Sequence, residues 1–169
     1  MFQVGDFVVS ATSGICQIKD VVSLDLSDSG QEKDYYLLEP VVQGQGNSKL
    51  YIPVDIADKR MRHAISEEQA WTIIRKIPQI DEAWIDNEKE REKRYKEVLL
   101  SCDLERIVAI IKNMYARKQV RMAQGKKSTA IDERYFKLAE NHLYSELSFA
   151  VGQDSGSMQR IIQESMEKL

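Results

Sequence analysis

Hydrophobic positions alternate with polar ones over roughly the first 60 residues and recur at helical spacing over the rest. Asp6-Phe7-Val8-Val9, Ile15 to Val22, Tyr35-Tyr36-Leu37-Leu38-Glu39 and Lys49-Leu50-Tyr51-Ile52 read as short strands. Turn signals separate them at Ala11–Gly14, Ser27–Gly30 and Gly44–Asn47, and Pro40 and Pro53 stop two of them. A fifth short strand is expected around Arg60-Met61-Arg62. Strands at roughly 10-residue intervals predict a small antiparallel barrel or a strongly twisted sheet.

From Ser66 the period changes. Ser66-Glu67-Glu68-Gln69 has the form of a capping box, followed by a stripe of Ala70, Ile73, Ile74 and Ile77 that Pro78 ends. Trp71 lies beside this stripe and is expected to pack. Glu88 to Leu100 reads as the next helix, with Glu90–Arg94 and Glu92–Lys96 pairs at i,i+4 and an inner face of Tyr95, Val98 and Leu99. Ser101-Cys102-Asp103 breaks and recaps the chain. A helix buried through Leu104, Ile107, Val108, Ile111, Met114 and Tyr115 then runs to Gly125. Ser128 or Thr129 caps a long helix ending near Gly152, with Ile131, Tyr135, Leu138, Ala139, Leu143, Leu147 and Ala150 facing inward. A short last helix carries Met158, Ile161, Ile162 and Met166. The pattern is α+β: a β unit over 1–62 and an all-α helical bundle over 63–169.

Charge sharpens the division. Residues 1–58 hold three basic and nine acidic groups, a net of −6, whereas residues 59–169 hold 21 basic and 18 acidic, a net of +3. Between Arg106 and Ile131 there is no Asp or Glu, but there are seven cations, including Arg117, Arg121, Lys126 and Lys127. At 100° per residue Arg106, Asn113, Arg117 and Arg121 fall within roughly 80° of one another, away from the centre of the apolar stripe. Such a helix suits docking to a core while offering charge to a polyanion. A solvated basic face on an ordinary bundle helix gives the same pattern.

Catalytic chemistry is not signalled. His63 and His142 are far apart, Cys16 and Cys102 are isolated, and no phosphate loop, nucleophile elbow or metal-ligand spacing occurs. A non-enzymatic protein is expected, with no cofactor, no metal and no small-molecule substrate. The lack of a long apolar run or a secretory leader pattern predicts a cytoplasmic protein with no membrane partner.

With both halves in view the chain resembles the CarD-like family of bacterial RNA-polymerase-binding transcription regulators. The resemblance rests on Phe2-Gln3-Val4-Gly5-Asp6-Phe7-Val8-Val9, Ser13-Gly14-Ile15, Leu50-Tyr51-Ile52-Pro53 and Met61-Arg62 before Ile65-Ser66-Glu67-Glu68. It continues through Lys93-Arg94-Tyr95-Lys96, Asp132-Glu133-Arg134 and Ala139-Glu140 to Leu143-Tyr144-Ser145-Glu146-Leu147. It implies a Tudor-like N-terminal domain, shared with transcription-repair coupling factors, that docks on the polymerase β subunit through an exposed strand edge. Leu50, Tyr51 and Ile52, with Val21, Val22 and Ser23 on a neighbouring strand, are the candidate edge residues.

The resemblance also implies a helical domain that contacts promoter DNA at the upstream edge of the bubble and modulates open-complex stability. There a tryptophan wedges at the minor groove and cations hold phosphates. The family's tryptophan stands four residues before the tyrosine matching Tyr95, where this chain has Arg91. Trp84 lies seven residues earlier, which on an unbroken helix returns it to nearly the same face. Trp84 is therefore the candidate ring, and Arg91, Lys93, Arg94, Lys96, Arg117, Arg121, Lys126 and Lys127 are candidate phosphate contacts. An adaptor that binds polymerase without touching DNA, and a nucleic-acid-binding module acting alone, are the alternatives.

Overall fold

A computed structural model describes residues 1–41 and 48–167, so the turn expected at Gly44–Asn47 lies outside the described residues. The chain forms two compact units, Met1–Ala64 and Ile65–Leu169.

The first unit is a five-stranded antiparallel sheet of β1 (Phe7–Ser10), β2 (Gly14–Leu24), β3 (Lys33–Pro40), β4 (Leu50–Pro53) and β5 (Met61–His63). Its spatial order is β4-β3-β2-β1-β5. A 3₁₀ turn, Val54–Ile56, and the single-turn helix α1 (Ala57–Arg60) join β4 to β5. Strand alternation sends Val8, Cys16, Ile18, Tyr36, Leu38 and Met61 into one buried cluster with Phe2 and Ala57. Gly14 allows the tight β1–β2 turn, since its φ of 65° is a conformation that side-chain-bearing residues avoid. The order ends on β4 and β5, so among the described residues the hydrogen-bonded sheet is open, and the small barrel that strand spacing offered beside a strongly twisted sheet is not what forms. Both end strands are short, four and three residues. Curvature instead enters at the register shift between Ile18 and Asp20 in the long β2.

Burial pushes the Cys16 thiol up from 9.0 to about 11. The Tyr95 phenol of the second unit is pushed up from 10.0 to about 12, chiefly by burial. A raised folded pKa stabilises below the unfolded pKa and is lost as pH rises through the folded one. Urea midpoints should therefore fall progressively above about pH 9, as each unfolded state ionises a group that its folded state keeps protonated. A midpoint that stays flat between pH 8 and 11 would contradict this.

In the second unit α2 (Glu67–Lys76) begins with the complete capping box: Gln69 N–H donates to Ser66 Oγ at 3.2 Å, and Ser66 N–H donates to Gln69 Oε1 at 2.9 Å. Pro78 falls in a 3₁₀ turn, Ile77–Gln79. A second such turn, Glu88–Glu90, precedes α3 (Arg91–Ser101). Cys102 takes a left-handed conformation, and Asp103 caps α4 (Leu104–Ala123) through the amides of Glu105 and Arg106. Thr129 caps α5 (Ala130–Val151), which ends on a left-handed Gly152, and α6 (Ser155–Glu167) follows. Ala70, Ile74, Ile77, Tyr95, Val98, Leu99, Ile107, Ile111, Leu143, Leu147, Met158 and Ile162 share one core.

Three expected core residues are on the surface: Tyr115, Ile131 and Leu138 are 55%, 43% and 38% exposed. Tyr115 lies past Met114, the last buried residue of α4, where the helix runs beyond the core. On α5, Ile131 and Leu138 stand roughly 100° from the centre of the buried stripe. That stripe includes two carboxylates, Asp132 and Glu146. Glu146, 2% exposed, accepts the Ile65 N–H at 3.3 Å. Arg94 reaches Glu97 at 3.8 Å rather than Glu90, which lies in the 3₁₀ turn before the helix proper, whereas Lys96 meets Glu92 at 3.5 Å as expected.

Candidate interaction surfaces

In the first unit the chemistry available to a partner is backbone. β4 pairs with β3 through Tyr35↔Pro53, Tyr36↔Ile52, Leu37↔Tyr51 and Leu38↔Leu50. Pro53 has no N–H to give to Tyr35, so the alternation of an antiparallel ladder puts the β3-directed bonds at Leu50 and Ile52. The N–H and C=O of Tyr51 then face away from β3. The side chains divide accordingly: Leu50 and Ile52 pack against the unit's core, and Tyr51 is 40% exposed. Val21, Val22 and Ser23 pair with Tyr36, Tyr35 and Asp34 across the other side of β3. β1 covers β2 only from Gly14 to Gln17, so this second half of β2 projects past it. Val21 and Ser23 are exposed, and Ser23 Oγ donates to the Asp34 carboxylate. The two trios flank β3 on opposite sides, and one added strand can bond to only one of them.

In the second unit Trp84 is 77% exposed. It does not lie on a helix: residues 81–87 have no helical or strand structure, and helical structure starts only at Glu88. Trp84 therefore does not share a helical face with Arg91, which would require an unbroken helix. The segment is nonetheless tied to α4. Lys112 Nζ donates to the Ile80 carbonyl at 2.6 Å, and Ala83 N–H donates to the Ala109 carbonyl at 3.0 Å. Ile80, Ala83 and Ile85 pack against the core. Beyond Trp84, whose Nε1 donates to the Asp86 carboxylate, Asn87 caps the 3₁₀ turn through the Lys89 amide at 2.9 Å.

Two candidate phosphate contacts are instead internal. Arg91 is 8% exposed; its guanidinium donates to Tyr95 Oη at 2.9 Å and Asn113 Oδ1 at 2.8 Å, and its Nε lies 3.4 Å from Glu88. Arg117 grips both oxygens of Glu88, one of them at 2.8 Å, and its Nε donates to Asp132 Oδ2 at 2.6 Å. Tyr95 Oη donates to Asp132 Oδ1 at 2.9 Å. Glu88, Arg117, Asp132, Tyr95 and Arg91 thus close a ring of side chains from a 3₁₀ turn and three helices. The Arg117 bond holds the Glu88 carboxyl below the usual carboxylate range, and Glu88 in turn raises the Arg117 guanidinium. Arg121 is half-buried, and its Nε donates to the Lys127 carbonyl at 2.8 Å across the α4–α5 turn. Lys93, Arg94, Lys96, Lys126 and Lys127 are exposed, Arg94 and Lys96 beside the carboxylates named above.

Residues 2–65 match the family model of the CarD-like/TRCF RID domain. The N-terminal unit belongs to that family. No curated protein matches the chain. The CarD-like domain thus takes in the whole five-stranded sheet and both candidate flanks, while the ring and Trp84 lie outside the matched residues. Asp132 and Glu146 are buried acids beyond those expected from the sequence. The available signal was position: each sits within the apolar stripe of α5, where a charge needs a partner from another element.

Proposed function

We propose that the chain is a non-enzymatic, cytoplasmic transcription regulator in bacteria. Its CarD-like unit, a Tudor-like fold in this reading, docks on the RNA polymerase β subunit by strand addition. Its helical unit presents Trp84 and the exposed Lys93, Lys96, Lys126 and Lys127 to promoter DNA at the upstream edge of the bubble, changing open-complex stability. The observation that carries this is the CarD-like match over residues 2–65, on a sheet whose β4 edge turns the Tyr51 amide outward. Backbone groups on a free edge supply affinity, and the exposed side chain beside them supplies selectivity. Docking raises the local concentration of the helical unit at the DNA, so weak DNA affinity suffices. Trp84 supports the DNA half of the reading: a large ring exposed on an anchored segment suits insertion at an unstacked step.

Trp84→Ala should leave polymerase association intact and shorten open-complex lifetime by about tenfold, on the scale of one base–aromatic stack. A filter-binding decay of promoter complexes reads this. A second reading, an adaptor on polymerase without DNA contact, is favoured by the internal use of Arg91 and Arg117, which leaves fewer cations for phosphates. An unchanged lifetime in the Trp84 variant, with binding to polymerase retained, selects the adaptor. A chain that fails to associate with purified polymerase at near-physiological salt excludes both.

A further inference from the structure

We propose that Arg117 is a positioning residue that, with Glu88, fixes the non-helical segment on which Trp84 is displayed; its importance for DNA rests on the reading just given. Ala109 and Arg117 stand roughly 12 Å apart along the α4 axis, at 1.5 Å per residue. The chain between their partners, Ala83 and Glu88, reaches at most about 17 Å when fully extended. The segment is therefore long enough to span the two sites along α4, held by a backbone bond at one end and a charge-assisted bidentate grip at the other.

Arg117 is itself held. Its Nε is taken by Asp132, which is 5% exposed and also accepts from the fully buried Tyr95, so the guanidinium plane cannot turn to follow a loosened Glu88. Trp84 has no helix to orient it. Without the grip, the ties described after Ala83 would be the packing of Ile85, the Asn87 cap and the single 3.4 Å contact of Glu88 with Arg91. An ordered display lowers the entropy lost when the ring engages a partner.

The grip needs arginine geometry, whereas a phosphate contact needs mainly charge. Arg117→Lys and Arg117→Ala in the full-length protein separate the two. Glu88→Ala is the companion variant, since Glu88 is exposed and its loss leaves the Arg117–Asp132 pair intact. By NMR hydrogen exchange, the amides of Lys89 and Glu90, both bonded to Asn87, should exchange about tenfold faster or more in all three variants, as a locally opened segment does. Open-complex lifetime should fall in Arg117→Lys as far as in Arg117→Ala. The salt dependence of DNA engagement should be unchanged, where loss of a phosphate contact would flatten its slope by about 0.9.

Unchanged exchange at Lys89 and Glu90 in folded Glu88→Ala overturns the proposal. So does an Arg117→Lys protein that keeps the wild-type lifetime while Arg117→Ala flattens the salt slope. Faster exchange in all variants, with no effect of Trp84→Ala on lifetime, supports the positioning role and overturns the DNA contact instead.

Discussion

Asp132→Ala is expected to destabilise the helical unit by about 3–5 kcal/mol, the loss seen when one partner of a buried charge pair is removed. Asp132 is the point at which two halves of the side-chain ring meet. One oxygen accepts from Tyr95 Oη at 2.9 Å and the other from Arg117 Nε at 2.6 Å. Alanine would leave the buried Tyr95 hydroxyl without its acceptor and the guanidinium with only the exposed Glu88. With total stabilities of about 5–15 kcal/mol, such a loss is a large fraction of what holds the unit together. Asp132→Asn keeps an acceptor for Tyr95 but removes the charge facing Arg117, and should fall between alanine and wild type. Urea denaturation followed by helical circular dichroism measures both. An alanine variant within about 1 kcal/mol of wild type, the range of exposed ion pairs, would show that the ring contributes no more than a surface pair.

The same ring shows where the sequence is legible and where it is not. Features set within a few residues are readable in advance. Ser66 and Gln69 satisfy each other's amides because both lie in one helical turn, and Gly152 ends α5 because its backbone enters the left-handed region. Features set by distant partners are not. Arg91 and Arg117 sit in basic stretches with the appearance of free cations. Their acceptors come from other elements: Glu88 lies 29 residues from Arg117 in the chain, and Asn113 lies 22 from Arg91. The carboxylate-free run from Arg106 to Ile131 likewise has its charge partly answered from outside the run, by Glu88 and Asp132. Helical phase also misleads near an edge: Leu138 belongs to the apolar pattern of α5, yet the α5 stripe is centred on Asp132, Ala139, Leu143 and Glu146. The start of helical structure at Glu88 is legible, and it leaves Trp84 outside the helix; only an unbroken helix reaching back past Asp86 would put Trp84 on the face of Arg91.

Tyr51→Pro is expected to weaken association with RNA polymerase by about tenfold or more while leaving the CarD-like unit folded, if docking proceeds by strand addition at β4. The expectation follows from which way each amide points. Pro53 fixes the phase of the β4 ladder, so a second proline two residues earlier falls at another outward-facing position and removes no bond to β3. The bond it does remove is the one an incoming strand would accept, and the pyrrolidine ring occupies the space where that strand would lie. Tyr51→Ala retains the amide and loses only the half-exposed side chain, so its effect should be smaller. Val21→Glu, on the opposite flank of β3, should leave binding near wild type, because a strand laid against β4 does not reach it. Its flank also has Ser23 bonded to Asp34 and an exposed Asp20, acidic features that blunt an edge against pairing. Surface-immobilised polymerase and the full-length variants give the affinities, and amide exchange at Leu50 and Ile52 reports whether the β3–β4 ladder survives. Loss of binding in Val21→Glu with full binding in Tyr51→Pro would move the docking edge to β2, whereas full binding in both would remove strand addition as the mode of contact.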